Sequence, residues 1–329
     1  VRASGDRGDQ ADPRADRTDA RQRADRAGGA AVAARSPACR LRGHPHLTAA
    51  AARIAALAPL RSVIAAAGLD ARKALGQHFL LDLNVTRRIV RAVGGLDGVH
   101  VMEVGPGPGG LTRAILEAEP ATLLAVERDA RCVGALADLV GASEGRLRLL
   151  EADAMTVDGA DLLPAPRVVI ANLPYNVGTQ LLLGWLRRMD AWRSLTLMFQ
   201  EEVAERIVAA PGSKTFGRLS VIAGWRAEAR ILFRLPARAF VPPPKVASAV
   251  VHLVPRAAPA EARWATMEAV TAAAFGQRRK MLRQSLRALG DAEALLAAAG
   301  LPGTARAEEI GVEGFAALAR AVDAIRPAG

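Results

Sequence analysis

Large apolar side chains are almost absent from roughly the first 50 residues, a stretch of Arg, Asp, Ala and Gly, and then collect into ordered blocks. A segment with so little to bury cannot offset the entropy of ordering, so residues 1–56 are expected to be a disordered extension. The pattern changes at Leu57, and from Val99 onward runs that read as strands alternate with runs that read as helices. Val99–Val104 predicts a buried strand, followed by a glycine-rich turn and a helix over Leu111–Glu117. Further strands are predicted at Thr122–Val126, Arg146–Leu150, Arg167–Ala171 and Leu195–Phe199, with helices such as Ala130–Leu139 and Gln180–Arg188 between them. Such alternation implies an α/β, Rossmann-like fold: a mostly parallel sheet with helices on both faces. Ala229–Leu235 and Ser248–Val254 follow one another with no helix between, which predicts an antiparallel pair at one sheet edge. The rest is helical, and Gln277–Arg287 within it reads as a strongly basic helix. The chain thus divides into the extension 1–56, a cofactor-binding domain 57–257 and a small helical domain 258–329.

Charge narrows the partners. A formal net charge of +11 favours a polyanion, because neutralising phosphates releases condensed counterions. Arg far outnumbers Lys in an Ala- and Gly-rich chain, so part of this charge reflects composition rather than a binding surface. Cys39 and Cys132 belong to no metal-ligand or disulfide spacing, which fits a reducing cytoplasm and no metal. Arg53 and Arg61 interrupt the Ala-rich stretch from Thr48 to Gly68, so no membrane span is expected. The Arg-rich start differs from a transit peptide in holding six Asp residues within its first 25 positions.

Chemistry is concentrated in two turns. Gly105, Gly107 and Gly110 form a GxGxxG sequence after a strand and before a helix, a nucleotide-binding arrangement open to either NAD or S-adenosylmethionine. NAD brings a pyrophosphate that suits a helix N-terminus, whereas S-adenosylmethionine brings a cationic sulfonium and an amino acid tail, beside which the carboxylate of Glu103 is useful. Glu127 ends the second strand 22 residues after Gly105, where an acid can accept from both ribose hydroxyls of either cofactor. Asp153 follows the third strand and has two readings, an acceptor for the cofactor's adenine amine or a helix N-cap.

The second turn is Asn172-Leu173-Pro174-Tyr175, after the fourth strand. An exocyclic adenine amine is a poor nucleophile because its lone pair is delocalised into the ring. An Asn172 side-chain oxygen and the Leu173 carbonyl could each accept one N6 hydrogen, drawing the nitrogen toward tetrahedral geometry. Pro174 stiffens the turn and biases Leu173 away from the helical region. Tyr175 offers a flat face for a base lifted out of its stack. No strong general base is required, since positioning and aimed dipoles do the work.

Taken together, these blocks resemble the ribosomal RNA adenine dimethyltransferases of the KsgA (RsmA) type over roughly Lys73 to Val322. The resemblance also rests on Gly76-Gln77-His78-Phe79-Leu80, Phe216-Gly217-Arg218-Leu219-Ser220, Phe240-Val241-Pro242-Pro243-Pro244-Lys245-Val246 and Phe275-Gly276-Gln277-Arg278-Arg279-Lys280. It implies a class I S-adenosylmethionine-dependent methyltransferase fold and dimethylation of N6 at two adjacent adenines near the 3′ end of small-subunit rRNA. By that likeness His78, Leu80, Glu103, Gly105, Gly107, Glu127, Asp153, Ala154 and Asn172 would hold the cofactor. Many family members carry Asn where this chain has His78; a histidine can still donate a hydrogen bond, though a lone His is more often structural. Phe240 would face Tyr175 across the target base, its bland alternative being an ordinary core position. Lys214, Arg218, Arg278, Arg279, Lys280 and Arg283 would track an RNA backbone, or else form a solvated face. The resemblance makes the precursor rRNA of the small ribosomal subunit the expected partner of a monomer. Rival readings are an Erm-type large-subunit rRNA dimethylase, a DNA adenine methyltransferase, and an RNA-binding assembly factor without catalysis. The Phe216–Arg218 and Phe240–Val246 blocks argue against the Erm type, and intact Asn172 and Tyr175 against the last.

Overall fold

The computed structural model describes residues 49–69 and 78–325, which fall in one compact unit. Seven strands form the central sheet: β2 (His100–Val104), β3 (Thr122–Glu127), β4 (Leu147–Glu151), β5 (Arg167–Asn172), β6 (Ser194–Gln200), β7 (Ala227–Leu235) and β9 (Ser248–Pro255). Their order is β4-β3-β2-β5-β6-β9-β7, parallel except where β9 runs antiparallel to both β6 and β7. Two short strands, β1 (Phe79–Leu80) and β8 (Phe240–Val241), pair antiparallel beside it, with Phe79 opposite Val241 and Leu80 opposite Phe240. The central parallel strands read as continuous apolar runs because helices cover both faces; Val168 through Ala171 of β5 are all buried. Glu103 in β2 interrupts its run, a carboxylate 1% exposed.

The expected α/β architecture and its antiparallel edge are therefore present, and three expectations need correction. Residues 49–56, assigned to the extension, include a helix at Ala49–Ala55 whose Ala51 and Ile54 are buried; alanine is the strongest helix former, and these two apolar side chains dock a two-turn helix. Residues 1–48 lie outside the described residues. The helix expected over Ala130–Leu139 is two, Ala130–Ala135 and Ala137–Ala142, parted at Leu136. The basic helix expected over Gln277–Arg287 does not form. The helix Trp264–Gly276 stops at Gly276, residues 277–280 make an exposed turn, and of the rest of the segment up to Arg287 only Leu282–Ser285 is α-helical. Tertiary pairing overrides the helical spacing here: Met281 bridges to Arg306, and the Leu282 N–H donates to the Ala305 carbonyl at 2.8 Å.

The helices after residue 258 share the core of the sheet. One apolar cluster runs from Val169 and Leu197 to Phe315 and Leu318 of the last helix, Val312–Ile325. Phe275 joins it, with Phe216 at 6.0 Å on one side and Phe315 at 5.5 Å on the other. No described helix is long and apolar enough to cross a membrane.

Candidate functional site

The carboxyl ends of β2, β3, β4 and β5 open onto one cavity, the position where open α/β sheets bind ligands. Its wall gathers His78, Leu80, Glu103, Gly105, Gly107, Glu127, Asp153, Ala154 and Asn172, together with Leu173, Pro174 and Tyr175. The glycine turn is left-handed at Gly105 (φ 69°), and a Cβ there would lie 3.5 Å from Pro174 Cδ and 3.9 Å from the Asn172 carbonyl oxygen. The two turns singled out in the sequence thus touch. Gly110 opens the next helix, Gly110–Glu117, so close to β1 that a Cβ would sit 2.5 Å from the Leu80 carbonyl oxygen.

Glu127 is buried and held by main-chain donors: Gly107 N–H reaches Oε2 at 3.0 Å, while the N–H groups of Arg128 and Asp129 reach Oε1 at 2.8 and 2.9 Å. Three of about four lone-pair positions are taken, which leaves acceptor capacity on Oε2 at the cavity wall. Asp153 serves as a cap, since Oδ1 accepts the Met155 N–H at 2.9 Å and so starts the short 3-10 turn Ala154–Thr156. Its Oδ2 lies 3.3 Å from the Arg128 guanidinium, an exposed pair of little energetic weight. The cap uses one oxygen, so both readings of Asp153 are compatible with one carboxylate.

Glu103 is the electrostatic oddity of the cavity. Burial pushes its carboxyl up to about 8; the Thr112 hydroxyl opposes that shift, and the negative charge of Glu127 adds to it. Oε2 has no hydrogen-bond partner of good geometry among the described residues, and neither has the Thr112 hydroxyl. A buried acceptor without a donor is costly unless a ligand supplies one. This one lines a cavity that is able to admit a cationic donor.

At the second turn, Asn172 Nδ2 donates to the His78 carbonyl at 3.2 Å. A carbonyl only accepts, so the amide can face it only through its nitrogen, and Oδ1 is left to accept from elsewhere. Pro174's carbonyl is consumed by the N–H groups of Val177 and Gly178, at 3.2 and 3.0 Å, where the helix Gly178–Arg187 begins. The Tyr175 hydroxyl lies 2.6 Å from Ser248 Oγ, and burial raises its phenol while that bond opposes the rise.

Phe240 and His78 stand in different surroundings. Phe240 is 2% exposed and packs in a core cluster with Ile89 and Leu235, the surroundings of its core reading, and it is not among the residues that line the cavity. The ring beside Tyr175 is His78, with centroids 5.3 Å apart and planes inclined by 30°. His78 Nδ1 bonds the Pro242 carbonyl at 2.9 Å, and since that carbonyl can only accept, Nδ1 carries the proton. The donor expected to serve a cofactor is therefore spent on Pro242, and in a neutral ring the other nitrogen is an acceptor. Gly76 and Gln77 of the same block lie outside the described residues.

The basic residues also divide. Arg278, Arg279 and Lys280 are exposed in the turn after Gly276, and Arg283 is exposed on the short helix that follows. Arg278 Nη2 donates to the Lys214 carbonyl at 2.8 Å and its Nε to Glu308 at 3.0 Å, so two segments 64 residues apart share one surface. Arg218 opens the helix Arg218–Arg226 and lies 3.8 Å from Glu268. Phe216, between Lys214 and Arg218, is core, 1% exposed. The sequence reading passed over Arg128, Met155 and Ser248. The first two neighbour Glu127 and Asp153 and line the cavity, and a small hydroxyl in the apolar run Ser248–Val254 was the available signal for the third.

Residues 68–323 match the family model described as ribosomal RNA adenine dimethylase. The chain is 61% identical over 272 residues to "Ribosomal RNA small subunit methyltransferase A" of Paramagnetospirillum magneticum, covering 82% of this chain and 97% of the relative. It is 62% identical over 269 residues to the protein of the same name from Rhodospirillum rubrum, covering 82% and 93%. Among solved structures, a dimethyladenosine transferase from Plasmodium falciparum superposes with a TM-score of 0.62 at 22% identity, over 73% of this chain and 96% of that one, a likeness of fold. The 23S rRNA methyltransferase ErmE superposes with a TM-score of 0.56 at 25% identity, over 74% and 99%.

Proposed function

The chain belongs to the ribosomal RNA adenine dimethylase family, and from that premise we propose that it dimethylates N6 of two adjacent adenines near the 3′ end of small-subunit rRNA, in the immature subunit. It is an S-adenosylmethionine-dependent rRNA methyltransferase. The observation that carries the mechanism is the Asn172 amide, whose nitrogen is committed to the His78 carbonyl and whose oxygen is free to accept.

S-adenosylmethionine supplies an electrophilic methyl group on a cationic sulfonium. The residues of the cavity fit it: Glu127 has acceptor capacity for ribose hydroxyls, Asp153 and the Ala154 backbone lie where the adenine would sit, and the unpartnered Glu103 suits the ammonium of the amino acid tail. His78, Leu80, Gly105 and Gly107 complete the wall. Asn172 Oδ1 and the Leu173 carbonyl accept the two N6 hydrogens of the target adenine, and Tyr175 supports its ring. The N6–CH3 bond would form as the S–CH3 bond of the donor breaks and leaves a neutral thioether; these two oxygens would stabilise the positive charge arriving at N6, and its proton would then pass to solvent water. The monomethylated amine has a single N–H, so one acceptor holds it during the second transfer.

Methylation of immature small subunits with labelled donor, read by mass spectrometry of the rRNA, tests the assignment. Dimethyladenine at adjacent positions is expected; methylation of large-subunit rRNA or duplex DNA in its place would overturn it.

Glu103 makes cofactor binding depend on pH. Its acid form dominates at neutral pH in the free protein, because its pKa is about 8. A cation beside it favours the ionised form, so binding expels a proton, and affinity should climb as pH rises toward about 8 and then level. Folding runs the other way. The folded state holds this proton more tightly than the unfolded chain, so stability falls as pH rises from the ordinary carboxyl value of 4.5 toward about 8. Glu103→Gln should flatten both trends; calorimetry across this range checks the first and thermal melts the second.

Lys214, Arg218, Arg278, Arg279, Lys280 and Arg283 follow the RNA backbone under this reading. Replacing Arg279 and Lys280 together by Ala should reduce the slope of log affinity against log salt by about 1.5, at roughly 0.7–0.9 per lost phosphate contact. An unchanged slope would remove these two from the interface.

A further inference from the structure

We propose that Ser248 is the positioning residue for base capture, its hydroxyl setting the plane of the Tyr175 ring on which the target adenine comes to rest. The inference rests on the reading of Tyr175 as the stacking surface. Ser248 is the first residue of β9, fully buried, and paired on both sides, with Gln200 of β6 and Leu235 of β7. Pairing on both sides and full burial hold its backbone in place. Tyr175, by contrast, is half-buried on the turn between β5 and the helix Gly178–Arg187. Its ring is attached to the main chain at one end and to Ser248 Oγ, 2.6 Å away, at the other. Anchoring both ends removes the swing about the Cα–Cβ bond and sets how the ring tilts toward the cavity.

The same segment holds the neighbouring ring. The Pro242 carbonyl fixes His78 Nδ1 at 2.9 Å, and the His78 carbonyl in turn holds the Asn172 amide at 3.2 Å. Residues 242–248 therefore orient Tyr175 directly and Asn172 through His78, although none of them is needed to touch the reacting atoms. An adenine that stacks on a tilted ring brings N6 to the wrong place relative to Asn172 Oδ1, and in-line transfer is sensitive to such misplacement.

Four proteins test this: wild type, Ser248→Ala, Tyr175→Phe and the double variant, each assayed on immature small subunits. Each single change should lower kcat/KM for RNA by about fivefold to tenfold, the scale of one hydrogen bond, and leave KM for S-adenosylmethionine within about twofold. The double variant should be no worse than either single one, because both remove the same bond. Losses that multiply, or a wild-type rate in Ser248→Ala, would overturn the proposal. Tyr175→Phe guards against misfolding of the strand variant, since it breaks the bond without altering the sheet; full kcat/KM for RNA in that variant overturns the proposal equally. Tyr175 is the single tyrosine of the chain, so alkaline absorbance titration reads its phenol directly, and Ser248→Ala should move the ionisation to higher pH. If the wild type itself transfers no methyl group to small subunits, the underlying reading falls too, whereas multiplying losses in an active enzyme sink the positioning role alone.

Discussion

Asn172→Ala is expected to lower kcat by about a hundredfold to a thousandfold while KM for RNA stays within about threefold, the signature of an interaction made chiefly in the transition state. The reasoning starts from the hydrogen bond to His78. Because the carbonyl of His78 can only accept, the Asn172 amide is orientated by chemistry, and its oxygen is left to accept from elsewhere in a residue that lines the cavity. Alanine removes the acceptor that pulls electron density toward the reacting amine. Asn172→Asp separates two parts of this role. It keeps an acceptor but turns an oxygen toward the His78 carbonyl, where two lone pairs would oppose each other, so the side chain must rotate and most activity should still be lost. Single-turnover transfer of labelled methyl groups, at saturating RNA, measures the step itself. Turnover at the wild-type rate in Asn172→Ala would show that the amide oxygen has no part in activating N6.

The strand, glycine turn and helix around Gly105 were legible because two strong local signals coincide: a buried run from Val101 to Val104, and left-handed backbone at glycines, which other residues rarely adopt. The Asn172 turn was legible for the same reason, since its position after a buried strand limits where its side chains can go. The failures share a different cause. Helical spacing of Arg278, Arg279, Lys280, Arg283 and Arg287 was sound as arithmetic, but pairing of Met281 and Leu282 with residues 305 and 306 costs the helix its continuation, and no local pattern announces such a partner. Phe240 lies in a two-residue strand, where alternation cannot say which face is the core. Ser248 and Tyr175 are 73 residues apart, and only the assembled sheet brings their hydroxyls together.

Glu127→Ala is expected to weaken cofactor binding by about tenfold to 150-fold, from one lost hydrogen bond to a charged acceptor, worth about 1.5–3 kcal/mol. It should also lower the melting temperature of the cofactor-free protein. The same carboxylate receives the N–H groups of Gly107, Arg128 and Asp129, and those of Gly107 and Asp129 are buried. Leaving two buried donors unpaired costs about 2–4 kcal/mol, or roughly 5–10 °C in a protein of this size. Glu103→Gln provides the contrast within the same cavity. That carboxylate holds up no main-chain donor, and replacing it by a neutral amide removes the cost of ionising a buried acid, so affinity should fall at pH 7–8 while the melting temperature holds or rises. Melts with and without S-adenosylmethionine, run on both variants, separate the two roles. If Glu127→Ala lost affinity with no loss of stability, the carboxylate would be a ligand alone, and the rigidity of the glycine turn would have to come from the Gly105 N–H bond to the Val126 carbonyl, at 2.9 Å, and from packing against Pro174.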